Sequence, residues 1–204
     1  EQVSLSEYTA FRVDGAAEIM VAVNTMEEMA KVIGFLNKCS ANYFVLGNGS
    51  NIIAEDSFFD GAVIIIGNDF SKITGMSDGI IECEAGLMLN KLCIAARNEG
   101  YTGLEFAYGI PGTVGGALYM NAGAYGGEMK DVVLSADYLD TDGSVKTISA
   151  ECMDLSYRHS AFMNSGRVIL RVRVKLQKGT ETEIDQKMNE LMARRRDKQP
   201  LNYP

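Results

Sequence analysis

Imidazole is almost missing from this sequence. His159 is the only histidine in 204 residues, and the four cysteines, Cys39, Cys83, Cys93 and Cys152, include no CxxC pair. Tetrahedral zinc takes clustered thiolate and imidazole ligands, so this composition argues against a structural zinc site, and no metal is expected. Scattered cysteines read instead as small buried hydrophobes of a chain kept in a reducing compartment, the cytoplasm. No apolar run approaches the roughly 20 residues that span a bilayer. The opening EQVSLSEYTAFRVDG lacks the basic-then-apolar order of a signal peptide. Neither membrane insertion nor export is expected. Positive charge is also short: 19 Lys/Arg against 27 Asp/Glu leave a net charge of −8. That balance argues against a general nucleic-acid binder. Repeats and low-complexity tracts are absent as well.

The basic residues that are present gather late. Residues 151–204 hold 11 Lys/Arg against 7 Asp/Glu, a net of +4, and the remainder holds 8 against 20, a net of −12. An anionic ligand must therefore be held by local features, with the C-terminal quarter the richer source of cations. The ARRRDK run from Ala193 to Lys198 also fits a solvated helix end, where cations complement the dipole.

Periodicity organises the chain as α+β. Ala17–Asn24 reads as a strand, and Thr25 with Glu28 as a capping box opening a helix to about Cys39. Asn42–Gly47 reads as a short strand, with IIAE from Ile52 and Gly61–Ile66 as further strands. A hairpin is expected around Ser77-Asp78-Gly79, and a helix from about Met88 to Glu99 with Gly100 as its left-handed cap. Asp131–Ser149 reads as a second hairpin turning at Asp142-Gly143, and Arg167–Gln177 as a half-exposed strand. Thr180 and Glu183 begin a final helix that runs to about Asp197. A break near residues 67–70 divides the chain into a βαβ-type domain, 1–68, and a mainly antiparallel domain, 69–179, with a helical linker over 180–204.

Two glycine-rich segments carry the candidate chemistry. In VLGNGSNI, Gly47 and Gly49 permit a tight turn after an apolar strand, and free amides there suit an anion such as phosphate. Ser50 and Asn51 add donors. Ile52 stands where a Rossmann fingerprint would place its third glycine, which excludes that fold. A simple hairpin connection is the alternative. In GIPGTVGGALYMNAGAYGGE, Gly109 to Glu128, seven of the chain's 21 glycines fall in twenty residues. Pro111 fixes a turn before Gly112, and Thr113 can cap a short helix whose small residues Gly115, Gly116 and Ala117 would leave its first amides approachable. So bare a surface suits a large flat ligand; tight packing of the helix on a sheet is the alternative.

LGNGSN, GIPGTVGGALYMNAGAYGGE, YRHSAF and RRRDKQPLNYP, in this order, together with TAFRVDGAA, resemble the UDP-N-acetylenolpyruvoylglucosamine reductases over essentially the whole chain. The resemblance implies an FAD-binding fold of the vanillyl-alcohol-oxidase (PCMH) type, with two α+β subdomains flanking the cofactor. It implies a pyrophosphate held by Leu46, Gly47, Asn48, Gly49, Ser50, Asn51 and Ile52. Gly109, Ile110, Pro111, Gly112, Thr113, Gly115 and Gly116 would line the flavin, with Asn121, Ala122 and Gly123. It implies hydride transfer from NADPH through FAD to the enolpyruvyl double bond of a UDP-sugar. Arg158 would stabilise the carboxylate and developing enolate, with Tyr125 and Arg195 as substrate contacts. His159 takes no role from the resemblance and reads as a solvent-facing or satisfied side chain. The chain departs from the family pattern at Asp14–Ala17, DGAA in place of a glycine-rich turn, and stops at Pro204, before the family's serine proton donor. The resemblance therefore implies the FAD-binding portion of a reductase, inactive alone, its last helix facing an absent domain. Another flavin-dependent oxidoreductase of the same type, or a flavin-binding module without turnover, is the competing reading.

Overall fold

A computed structural model describes residues 3–200. The chain folds as two compact units, one ending at Phe70 and the next beginning at Ser71.

The first unit is a four-stranded sheet on one helix. Its elements are β1 (Val3–Ser4), β2 (Ala16–Val23), α1 (Met26–Lys38), β3 (Tyr43–Leu46) and β4 (Phe58–Ile66). The order is β1-β2-β4-β3; β1 is antiparallel to β2, whereas β2 and β3 both run parallel to β4. The central strand carries the continuous apolar run that a doubly flanked position demands, with Ala62, Val63 and Ile64 buried. Thr25 caps α1 through the Glu28 amide at 3.1 Å, while the Glu28 carboxylate accepts from the Asn24 amide rather than that of Thr25. Met29, Ile33 and Leu36, one face of α1, are buried.

The second unit is built on an antiparallel five-stranded sheet. Along the chain come β5 (Ile73–Ser77), β6 (Ile80–Glu84), α2 (Leu89–Asn98), β7 (Tyr101–Thr102), α3 (Val114–Tyr119), β8 (Gly123–Ala124), β9 (Gly127–Glu128), β10 (Val133–Leu139), β11 (Val145–Ser149), β12 (Val168–Lys175), β13 (Gln177–Lys178) and α4 (Glu181–Lys198). The main sheet has the order β11-β10-β12-β6-β5, and β7/β13 and β8/β9 form two-stranded ladders. On β12, Val172 and Val174 join the core while Arg171 and Arg173 face the other side. There the Arg173 guanidinium grips both oxygens of Asp137 at 2.9 Å and reaches Glu82 at 2.6 Å. Burial pushes both carboxyls up, but hydrogen bonds from Arg173 and from Thr147 or Thr74, with the charges of Arg173 and Arg171, outweigh it and hold both below the ordinary range.

Three expectations are corrected. Ile52–Glu55 is not a strand but part of the irregular link between β3 and β4; because those strands are parallel, that link is a crossover and no hairpin. The face of α4 expected to await another domain is covered within its own unit: Ile184 and Met188 belong to the core, and Leu191 is buried too. Of the cysteines, Cys83 and Cys93 are buried and Cys39 and Cys152 exposed. Burial, reinforced by neighbouring carboxylates, pushes the two buried thiols up to about 12. Among the described residues no helix is long and apolar enough to cross a membrane, and no three metal-ligating side chains cluster.

Candidate functional site

The first glycine loop leaves the carboxyl end of β3. Leu46 is buried and Ile52 packs beside it on the core with Ala17 and Val63, so these two side chains anchor the loop from below. Gly49 takes a left-handed φ of +63°, and a Cβ there would overlap the Tyr8 carbonyl oxygen and lie 2.9 Å from the Thr9 Cα. Only glycine fits both demands. The Ala10 amide clamps the turn by donating to the Gly49 carbonyl at 3.1 Å. Among the described residues of this unit, no group accepts from the amides of Gly47, Asn48, Gly49 or Asn51. Thr9, beneath the loop, is buried with its hydroxyl unpartnered. Open amides on a glycine turn are what a pyrophosphate requires, and an incompletely bonded floor fits a loop that binds something.

The long glycine segment belongs to the second unit and divides into two parts with different roles. Its helix, α3, does not offer amides to a ligand. The Val114 amide donates to the Leu87 carbonyl at 2.8 Å, that of Gly115 to Ala85 at 2.8 Å, and that of Gly116 to the Thr113 hydroxyl at 3.2 Å. Gly115 is glycine because a Cβ would sit 2.8 Å from that of Ala85 and 3.1 Å from its carbonyl oxygen. Close packing on the end of β6 explains this residue, which corrects the expectation of approachable helix amides. Gly116, by contrast, is exposed. In the turn before α3, the Gly112 and Thr113 amides have no acceptor among the described residues, and Ile110 leans on the core. Arg195, on α4, lies across Gly109: its Cδ is 3.1 Å and its Nη1 3.7 Å from where a Gly109 Cβ would be. The structure thus brings one late cation to the Gly109–Thr113 turn.

Beyond α3 the chain makes a left-handed corner at Asn121, φ +40°, then the β8/β9 hairpin with Tyr125, φ +56°, at its tip. Asn121 is buried. Its Nδ2 donates to Glu128 at 2.8 Å and to the Ser156 carbonyl at 2.9 Å, and its Oδ1 accepts from the Lys130 amide at 2.9 Å. Glu128 also pairs with the Lys130 ammonium at 2.9 Å; that ammonium first, then Asn121, holds the Glu128 carboxyl below its ordinary value. The side chain of Asn121 is therefore occupied by the protein itself.

Ser156 opens the turn that carries Arg158. Ser156 and His159 exchange backbone hydrogen bonds of 3.2 and 3.1 Å, leaving Tyr157 and Arg158 at the corner. Tyr157 is 87% exposed; Arg158 is exposed with φ +54°. On the far side, fully buried Ser160 donates to the Tyr119 carbonyl, the last residue of α3, at 2.7 Å. His159 pairs with Asp154 at 3.2 Å, a satisfied surface histidine. Ser156, Ser160 and Glu128 were given no role in the sequence, although Ser160 lies within YRHSAF, Glu128 ends the long glycine segment and Ser156 directly precedes YRHSAF.

The chain is of an FAD-binding class: the family model for the FAD binding domain matches residues 17–149. Curated relatives are UDP-N-acetylenolpyruvoylglucosamine reductases. That of Clostridium novyi (strain NT) is 43% identical over 99% of this chain and 65% of the relative, and that of Streptococcus pneumoniae (strain 70585) 43% identical over 100% and 67%. The crystal structure of the Thermus caldophilus reductase superposes with a TM-score of 0.81 at 34% identity, covering 98% of this chain and 70% of that one. An alkyldihydroxyacetonephosphate synthase shares the fold alone, with a TM-score of 0.63 at 17% identity. The chain belongs to the UDP-N-acetylenolpyruvoylglucosamine reductase family, with the α+β FAD-binding fold of the vanillyl-alcohol-oxidase type. It spans about 65% of the length of the first of these relatives.

Proposed function

We propose that this chain binds FAD and serves the NADPH-dependent reduction of UDP-N-acetylglucosamine-enolpyruvate to UDP-N-acetylmuramate, in the cytoplasm, where peptidoglycan precursors are made. The observation that carries the reading is the Tyr157–Arg158 turn, an exposed guanidinium on a strained corner held by hydrogen bonds from the buried Asn121 and Ser160 side chains, in a chain related along 98% of its length to reductases. FAD, when bound, would supply a hydride taken from NADPH for the enolpyruvyl double bond. The amides of Gly47, Asn48, Gly49 and Asn51 would hold its pyrophosphate, and the Gly109–Thr113 turn, with Ala122 and Gly123, would line its flavin. Arg195 adds positive charge beside that turn.

The chain's own task in the reduction is to manage substrate charge. Hydride arrival leaves an electron pair next to the substrate carboxylate, spread onto its oxygens as an enolate. The planar fork of Arg158 can take two carboxylate oxygens at once and gains strength as their charge grows. Tyr125, 43% exposed on its hairpin tip, would contact the sugar. In the complete reductase, Arg158→Ala should slow the substrate-driven return of oxidised-flavin absorbance about a hundredfold or more, leaving the bleaching by NADPH within a few-fold. Equal loss in both half-reactions would remove the enolate role. A protein that takes up no FAD on titration, followed by the visible absorbance of the flavin, would remove the reading altogether.

A further inference from the structure

We propose that Asn121 is the positioning residue of this site, one buried amide that sets the Arg158 turn and the Tyr125 hairpin in a single register. The inference rests on the reading of Arg158 given above but goes beyond it. Asn121 and Ser156 are 35 residues apart, and their 2.9 Å bond closes the gap between the end of α3 and the Arg158 turn. The same Nδ2 holds Glu128 on the hairpin, and Oδ1 holds the backbone at Lys130. Asn121, Tyr125 and Arg158 all sit at left-handed φ, +40°, +56° and +54°, where non-glycine residues are uncommon and strained. Such corners keep their shape only when the surroundings over-determine them. Here the over-determination is one amide on one side and the Ser160 hydroxyl on the other. Loosening either lets Arg158 wander, and a misplacement of about 1 Å can cost two orders of magnitude in rate.

Asn121→Asp is the informative variant. It keeps the volume, tolerates the left-handed corner and retains the acceptor for Lys130, but removes both Nδ2 donors. Adding Glu128→Gln reverses the polarity of the hairpin contact and restores it, while the Ser156 carbonyl stays without its donor. Hydrogen exchange over 156–160 should be about tenfold faster in N121D and in N121D/E128Q, with exchange in β10 and β12 unchanged. Return of oxidised-flavin absorbance on substrate addition should fall about ten- to a hundredfold in both. Combined with Arg158→Ala, N121D should add almost nothing further. Wild-type exchange over 156–160 in N121D overturns the proposal, and so does a loss that multiplies with that of Arg158→Ala, because Asn121 would then act elsewhere. If Arg158→Ala alone leaves reoxidation untouched, the enolate role falls, while the exchange measurement still decides whether Asn121 holds the turn. Ser160→Ala provides the second route: faster exchange over the same residues, with the loss again absorbed by Arg158→Ala.

Discussion

Gly115→Ala and Gly116→Ala, adjacent substitutions in one six-residue helix, should have opposite consequences. At Gly115 the new methyl would meet the Ala85 Cβ at 2.8 Å, its carbonyl oxygen at 3.1 Å and its Cα at 3.3 Å. None of these is the end of a flexible chain, so α3 must move off β6. Overpacking of this kind costs about 1–3 kcal/mol. The displacement also lengthens the Gly115 amide bond to Ala85, now 2.8 Å, worth about 0.5–1.5 kcal/mol. Against that, alanine in place of glycine in a helix returns about 1 kcal/mol. The balance is a loss of about 0.5–3.5 kcal/mol, which for a unit of this size lowers Tm by roughly 2–12 °C. At Gly116 the new methyl meets only the Thr113 hydroxyl, at 3.3 Å, so propensity and a slightly crowded cap nearly cancel. Its position is exposed, however, on a segment proposed to face the flavin.

Differential scanning calorimetry and FAD titration of the two variants separate the roles. Gly115→Ala should lose stability; Gly116→Ala should keep Tm within about 2 °C but bind FAD more weakly. A Gly115→Ala protein as stable as the parent would refute the claim that β6 dictates this glycine. Weakened FAD binding in neither variant would refute a cofactor role for the exposed one.

Acid should act through the charge ladder on the outer face of the main sheet. Asp137 and Glu82 have folded-state pKa values below those of the unfolded chain, so their stabilisation is complete above the unfolded values, about 3.9 and 4.3, and disappears as pH falls through the folded ones. Tm should therefore fall below about pH 4.5, less steeply in Arg173→Met, and identical acid slopes for parent and variant would contradict the assignment. Thiol titration with an aromatic disulfide at pH 8 should count two fast cysteines, Cys39 and Cys152, with Cys83 and Cys93 reacting only after denaturation; four fast thiols would mean the core around β6 and α2 opens readily.

Local chemistry explains which features were legible in the sequence. The hairpins at Ser77–Gly79 and Asp142-Gly143 form where expected, with Gly79 and Gly143 left-handed, because a turn is specified by its own residues. Thr25, Thr113 and Thr180 all cap helices, since cap and amide lie three residues apart. The errors are all non-local. Ile52–Glu55 has strand composition but serves as part of the crossover that carries the chain from β3 to the parallel β4, a topological demand with no local signal. The α3 amides were read as available because their acceptors, Ala85 and Leu87, lie about thirty residues upstream, where periodicity carries no signal. Gly49 was legible through the turn it must make, whereas the role proposed for Arg158 rests on family resemblance. The bond that occupies the Asn121 amide reaches Ser156 in another segment and had no local signal.

The left-handed residues bear on why the site is built this way. Arg158 and Tyr125 occupy conformations that glycine would adopt without strain, at a cost of about 1–2 kcal/mol each for a side chain. The same chain uses glycine freely at comparable corners, Gly126 and Gly143 among them. A guanidinium and a phenol kept where glycine would be more stable indicate that the side chains, not the turns, are what is needed there. Asn121 is different: asparagine tolerates the left-handed region, and its amide bonds in three directions stabilise the corner it forms. The strain therefore sits at the two exposed tips, and the polar bonds that hold it in place are buried behind them. Replacing either tip by glycine should then raise stability while removing the substrate contact proposed for it.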